Sequence, residues 1–234
     1  MSVGGIGASF DPDRIAGLQG RGSVPARRKA VWAQAGVLIL GFVAALYVIE
    51  GIDVILSRDQ PPGTLNQLDG AGIEPREMSG LDGILWAPLL HGGWDHLLAN
   101  TLPLLVLGFV VLLSGIGRGL AATAIIWVVA GVGTWLTASS GSVHLGASSI
   151  VFGWLTYLIC RGWFARNVGQ IVIGLVIFLI YGSMLWGVLP SDPRISWQGH
   201  LFGAVGGVLA GWVLSSDERR RRRGASVGRA VPTR

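Results

Sequence analysis

Residues 119–160 read GLAATAIIWVVAGVGTWLTASSGSVHLGASSIVFGWLTYLIC and contain no Asp, Glu, Lys or Arg. An uncharged run of this length exceeds one bilayer-spanning helix, which needs about 20 apolar residues. The polar, Gly-containing segment 137–142 in its middle predicts a turn. The run therefore predicts two transmembrane helices, one on each side of that turn.

Four further stretches also lack charged residues, and each can cross a bilayer. They are Ala30–Ile49, Leu97–Gly117, Val168–Ser191 and Ile195–Ser216. Only 13% of the chain is charged, against about a quarter of an average soluble domain. We therefore predict an all-α integral membrane protein with a bundle of six transmembrane helices. The predicted spans are about Val31–Leu56, His96–Leu113, Leu120–Ala138, Ser148–Trp163, Val168–Leu189 and Trp197–Leu214.

The distribution of Lys and Arg predicts the orientation of this bundle. Six spans place both chain ends on one side of the membrane, and fifteen of the eighteen Lys and Arg residues fall on that side. The outer loops hold only Arg58, Arg76 and Arg194. By the positive-inside rule we expect both termini in the cytoplasm, in a multi-pass protein of the cell membrane.

This topology predicts three regions. Residues 1–30 are rich in Gly, Ser and Arg without an apolar period, and we expect a disordered cytoplasmic arm there. Residues 31–215 are predicted to form the six-helix membrane domain, and residues 216–234 an Arg-rich cytoplasmic tail. We interpret the run Arg219–Arg223 as an anchor that contacts anionic lipid. The predicted partner is therefore the lipid bilayer and not nucleic acid.

Polar residues open spans two, four and six, which all run inward from the outer surface. His96 and Asn100 lie one helical turn apart in span two. Ser148 opens span four, and His200 lies in the first turn of span six. These side chains share one membrane depth. Because an ionisable group inside a membrane is costly unless it is paired or lines water, the cluster indicates a functional site.

Together these residues can catalyse acyl transfer. A serine hydroxyl is a weak nucleophile that needs a base to take its proton, and His200 is predicted to be that base for Ser148. The attack creates an oxyanion, for which His96 and Asn100 can supply hydrogen-bond donors. The sequence shows no recognisable Asp as the third member of a triad.

Small residues predict close packing between spans four and six. Along one face of span six, glycines recur every four residues: Gly199, Gly203, Gly207 and Gly211. Span four offers Gly153 opposite them, and such faces let two helix backbones approach closely. We expect this packing to bring Ser148 and His200 within hydrogen-bond reach.

Three short motifs stand at these polar positions. They are His91-x4-His96-x3-Asn100, Gly146-Ala147-Ser148-Ser149 and Gly199-His200-x2-Gly203. Together they resemble the signature of the rhomboid family of intramembrane serine proteases, over about residues 31–215. The resemblance implies a Ser–His dyad endopeptidase, without metal or cofactor, that cleaves transmembrane or juxtamembrane segments of membrane proteins.

The resemblance also implies a role for each matching residue. It makes Ser148 the nucleophile and His200 the general base. The oxyanion donors would be His96, Asn100 and the Ser148 amide, and His91 would support the outer loop. Two positions depart from the family pattern: Ser149 stands where glycine is usual, and Trp86-Ala87 where a Trp-Arg pair is common. Serine is small enough to keep the turn, so we expect activity to be retained.

Two other functions compete with this interpretation. A catalytically inactive relative that binds membrane clients as a scaffold would keep the fold, but Ser148 and His200 are both present. A metal or proton transporter would use the histidines, but neither a His-x3-His pair nor a ladder of intramembrane carboxylates accompanies them. The sequence specifies neither the substrate nor the oligomeric state.

Three further polar residues receive no catalytic role from the sequence. His144 lies four residues before Ser148, but Gly146 is expected to interrupt any helix between them. Replacing His144 is therefore expected to leave activity largely intact. Glu50 and Asp53 lie near the outer end of the first span, where we interpret them as solvated interface residues.

Overall fold

The computed structural model describes residues 24–61, 64–192 and 195–229. In this part of the chain the regular structure is helical, and no strand is present. The α-helices are α1 (Val24–Ser57), α2 (Gly83–Trp86), α3 (Trp94–Leu113), α4 (Ile116–Thr137), α5 (Ser148–Ala165), α6 (Val168–Tyr181) and α7 (Trp197–Arg229). Short 3₁₀ segments occur at Asp69–Ala71, Met78–Gly80, Ala87–Leu89 and Gly182–Val188. Residues 1–23 of the predicted arm lie outside the described residues, and residues 24–30 belong to α1, which begins seven residues before the predicted span at Val31. The last five residues of the predicted tail also lie outside the described residues.

Five segments of the described chain are long and apolar enough to cross a membrane. They are Arg28–Ser57, Trp94–Leu113, Ile116–Thr137, Val168–Val188 and Trp197–Ser216. They match the predicted first, second, third, fifth and sixth spans. The molecule is thus a multi-pass, all-helical membrane protein.

The helix α5, predicted as the fourth span, differs from those five in polarity. It has 18 residues, and Arg161 lies among them. Every residue from Ile150 to Leu158 is buried. Because α5 is surrounded by other helices, its surface meets protein and can carry polar groups that a lipid-facing helix would not.

The bounds of the last two predicted spans differ from the observed helices. The fifth span was predicted as one helix to Leu189, but α6 ends at Tyr181 and the 3₁₀ segment Gly182–Val188 follows. The glycines of this 3₁₀ segment, Gly182 and Gly187, lower its propensity to form an α-helix. The last helix continues past the predicted end at Leu214 to Arg229.

Glycines allow α5 and α7 to form the most extensive helix contact of the protein. A Cβ atom on Gly203 would collide with the carbonyl oxygen of Ser149, and one on Gly207 with the carbonyl oxygen of Gly153. The Thr156 hydroxyl donates across the same contact to the Ala204 carbonyl at 2.8 Å. The close approach predicted from the glycine repeat is therefore present.

The outer loop between α1 and α3 is held against the rest of the bundle. Ile73 pairs with His144 through two backbone hydrogen bonds, of 2.8 and 3.0 Å. The Trp127 indole on α4 donates to the Ile84 carbonyl at 2.7 Å. Arg76 donates to the Ser140 hydroxyl at 2.8 Å. These contacts order the loop above α4 and above the segment that leads into α5.

The carboxylates at the outer end of α1 are buried, contrary to the solvated position expected for them. Glu50 is 2% exposed and Asp53 is 1% exposed. The loop folds over them: the Leu68 amide donates to Asp53 Oδ1 at 2.7 Å, and Asp69 is buried as well. The prediction was wrong because the residues that the loop covers are determined by its tertiary fold, which position along the span does not show.

The ionisation of Asp69 is predicted to make stability depend on pH. Burial, and then the charges of Asp53 and Glu50, raise the pKa of Asp69 from 3.8 to about 7. Between these values the native state binds more protons than the unfolded chain, so stability falls as pH rises from about 4 to about 7. The variant Asp69→Asn, which removes this ionisation, is expected to raise the free energy of unfolding by up to about 3 kcal/mol at pH 8. Denaturant unfolding in detergent should show almost no gain at pH 4, and an equal gain at both pH values would refute this account.

Candidate active site

The first turns of α5 and α7 bring Ser148 and His200 together. Ser148 Oγ lies 2.9 Å from His200 Nε2. The other ring nitrogen, Nδ1, lies 2.9 Å from the carbonyl oxygen of Gly187. Because a carbonyl oxygen only accepts, this contact assigns the ring hydrogen to Nδ1 and leaves a lone pair on Nε2 of the neutral ring. The Ser148 hydroxyl therefore donates to His200, which is the direction that general-base catalysis needs.

Two neighbours that the sequence analysis missed hold the imidazole in place. The Phe152 ring stacks on His200 with centroids 4.1 Å apart and planes at 9°. Gly187 lies beside both rings, since a Cβ there would lie 3.3 Å from His200 Nδ1 and 2.8 Å from Phe152. Phe152 follows Ser148 by one helical turn, so an aromatic residue at that spacing was a usable signal. The Gly187 carbonyl has no signal in the sequence.

His96 lies beside Ser148, with Gly146 between them. Gly146 has a φ of 118°, which favours glycine, and a Cβ there would lie 2.6 Å from the His96 ring and 3.6 Å from Ser148 Oγ. Asn100 is buried one turn deeper, and its amide nitrogen donates to the His96 carbonyl at 3.1 Å. Thus the structure brings His96 to Ser148, whereas the hydrogen bond of Asn100 stays within its own helix.

His91 contacts the segment just before Ser148. It is buried, its ring lies edge-on to His96 at 5.2 Å, and its Nε2 accepts a long hydrogen bond of 3.5 Å from the Ala147 amide. Burial, and then the neighbouring His96, lower the pKa of His91 to about 3, so the ring stays neutral. Among the described residues, no group of three or more His, Cys, Asp or Glu side chains is arranged to hold a metal ion.

A small cavity of about 20 Å³ opens beside Ser148. Its walls come from the outer loop, from α4 and from the first turns of α5 and α7. They include Pro88, Gly131, Thr134, Ser149 and Gly199. The space can hold a small group next to Ser148.

The sequence is similar to several known proteins. The model of the Rhomboid domain matches residues 80–217, more than half of the chain. An uncharacterized Mycobacterium tuberculosis protein, Rv1337, is 47% identical over 199 residues, which cover 82% of this chain and 80% of that protein. An uncharacterized Mycobacterium leprae protein, ML1171, is 42% identical over 213 residues, covering 88% and 81%. The candidate rhomboid protease YdcA of Bacillus subtilis is 30% identical over 135 residues, covering 57% and 67%. The chain therefore belongs to the rhomboid family.

Proposed function

We propose that this protein is an intramembrane serine endopeptidase that cleaves transmembrane or juxtamembrane segments of membrane proteins. The observation that carries the proposal is the 2.9 Å hydrogen bond between Ser148 and His200. The Gly187 carbonyl supports it, since it orients the imidazole so that Nε2 can accept the hydroxyl proton. Membership of the rhomboid family supports the same reaction class.

The mechanism follows from this geometry. A substrate helix enters sideways and unwinds locally, and Ser148 Oγ attacks a backbone carbonyl carbon while its proton passes to His200 Nε2. The imidazolium then protonates the leaving amine as the peptide C–N bond breaks. Water, deprotonated by the same histidine, attacks the acyl-enzyme and releases the carboxylic acid. The polar residues lie in outer helical turns, where water can reach the reaction.

The oxyanion is proposed to form on the Gly146 side of Ser148. There the His96 ring and the Ser148 amide can donate to it, and the absent Cβ of Gly146 leaves room for the oxygen. Asn100 carries a second amide hydrogen besides the one it donates to His96, and we propose that it contributes when substrate is bound. No metal or cofactor takes part in the proposed reaction.

The proposed topology has six spans, with α5 as the fourth and both termini in the cytoplasm. Its support is the charge distribution, with fifteen Lys and Arg residues on the inner side and three in the outer loops. This orientation puts Ser148 near the outer surface of the cell membrane. Substrates with Gly, Pro or another small residue near that surface should be preferred, because they unwind easily and suit the small cavity.

Cleavage of a reporter tests the proposal. Purified protein in liposomes, mixed with a panel of transmembrane segments bearing small residues near one end, is expected to produce two fragments, and Ser148→Ala to produce none. A fluorophosphonate that acylates active serines should label Ser148 in the native protein. If the native protein neither cleaves any segment nor reacts with the probe, the proposal fails and the alternative of a client-binding scaffold is favoured.

A further inference from the structure

A chain of hydrogen bonds runs beside the Ser148–His200 pair and has no part in the mechanism above. The Ser142 hydroxyl donates to the Ser139 carbonyl at 2.5 Å, and His144 Nε2 lies 2.9 Å from Ser142 Oγ. His144 Nδ1 lies 2.7 Å from Ser196 Oγ, which in turn accepts from the Gly199 amide at 3.4 Å.

The direction of each of these hydrogen bonds follows from the Ser139 carbonyl, which can only accept. Ser142 has one hydroxyl hydrogen, and the Ser139 carbonyl takes it, so Ser142 Oγ must accept from Nε2–H of His144. Burial lowers the pKa of His144, which keeps the ring neutral. A neutral ring carries one hydrogen, so Nδ1 is an acceptor and the Ser196 hydroxyl donates to it. The donor and the acceptor of each of these hydrogen bonds are therefore assigned.

These hydrogen bonds join the two segments that carry the proposed dyad. His144 belongs to the segment that leads into Ser148, and its backbone is held by the paired hydrogen bonds to Ile73. Ser196 directly precedes α7, and its carbonyl accepts from the His200 amide at 3.1 Å. The bond between His144 and Ser196 thus fixes the start of α7 to the segment before α5, at the same end of the bundle as the dyad.

We propose that His144 is a positioning residue for the Ser148–His200 pair and acts through its hydrogen bond to Ser196. The inference rests on the proposed protease function. It revises the expectation, drawn from sequence alone, that replacing His144 is almost without effect. His144 also lines the cavity beside Ser148, so a direct contact with substrate is the main competing role.

Two conservative replacements of His144 test separately the hydrogen bonds made by its two ring nitrogens. The amide of His144→Asn puts a polar atom near the place of Nδ1 and can still accept from Ser196. The amide of His144→Gln reaches the place of Nε2 and can contact only Ser142. We expect His144→Ala, His144→Gln and Ser196→Ala each to lower kcat about tenfold with KM unchanged, the size of one net hydrogen bond. His144→Asn should stay within about threefold of the native rate.

A double variant and an exchange measurement complete the test. His144→Ala combined with Ser196→Ala should be no slower than either alone, because both remove the same link. Hydrogen exchange of the Gly199 and His200 amides should speed up in His144→Ala and His144→Gln but not in His144→Asn. This measurement does not depend on activity.

The outcomes separate this inference from the proposed function. If native protein cleaves the reporter and His144→Ala matches it in kcat and in amide exchange, the positioning role is wrong while the protease function stands. A raised KM at unchanged kcat would instead assign His144 to substrate contact and overturn the inference. If the native protein is inert and Ser148 is unreactive toward the probe, the protease function is overturned, and the inference with it.

Discussion

Replacing His200 with alanine is expected to lower the rate of reporter cleavage by about 10⁴-fold to 10⁶-fold. The imidazole lies 2.9 Å from Ser148 Oγ, and no other base among the described residues is bonded to that hydroxyl. Without it, the hydroxyl keeps its proton and stays a poor nucleophile. Because the two side chains act as one unit, the double variant Ser148→Ala/His200→Ala is expected to be no slower than either single variant.

The control for this experiment lies on the same helix. Val205 on α7 is 47% exposed, and Val205→Ala is expected to cleave at the native rate. Initial rates in liposomes at matched protein levels provide the measurement, and thermal unfolding checks that each variant is folded. A His200→Ala protein that kept a tenth of native activity would rule out His200 as the base.

Replacing Gly203 with alanine is expected to damage both stability and activity. The new methyl group would collide with the backbone carbonyl of Ser149, and backbone cannot move aside as a flexible side chain can. Overpacking of this kind costs about 3 kcal/mol. The collision occurs next to the nucleophile, so separation of α7 from α5 would lengthen the bond between Ser148 and His200. We expect cleavage to fall by at least about tenfold, with a lower denaturant midpoint in detergent.

Gly211 supplies the matched control for Gly203. It lies two turns further along the same face of α7, and a Cβ there would lie 3.5 Å from its nearest neighbour, Phe164, which is ordinary contact. Gly211→Ala should therefore be neutral, or gain up to about 1 kcal/mol from the better helix propensity of alanine. Equal effects at Gly203 and Gly211 would show that the close contact between helices is not what the glycine provides.

Much of the fold could be predicted from the sequence, because helix position in a membrane protein is controlled by hydropathy over long runs. The uncharged stretches located α3, α4, α5 and the start of α7 well. The errors arose where other forces act. The 3₁₀ segment after Tyr181 continues the uncharged stretch of α6, so the absence of charge does not separate the two forms. The buried position of Glu50 depends on how the loop folds over the helix end, which local composition does not encode.

The side chains of the candidate site could be predicted from the sequence, but the contacts that orient them could not. Ser148, His96 and His200 were found because polar residues in apolar spans stand out. Their proximity could be argued from the glycine repeat. The orienting contact to His200 comes from a backbone carbonyl, which every residue carries, so no side-chain pattern marks it. The link between His144 and Ser196 joins residues 52 positions apart, and only the three-dimensional arrangement shows it.

The use of a backbone carbonyl to orient His200 has a genetic consequence. In a Ser–His–Asp triad, a missense change at any of three codons removes a functional group. In the proposed dyad the third group is the carbonyl of Gly187, which no missense change removes, so a substitution at that codon acts through the bulk of the new side chain against Phe152 and His200. The site is thus a smaller mutational target than a triad. A natural isolate without activity should be examined first at codons 148 and 200.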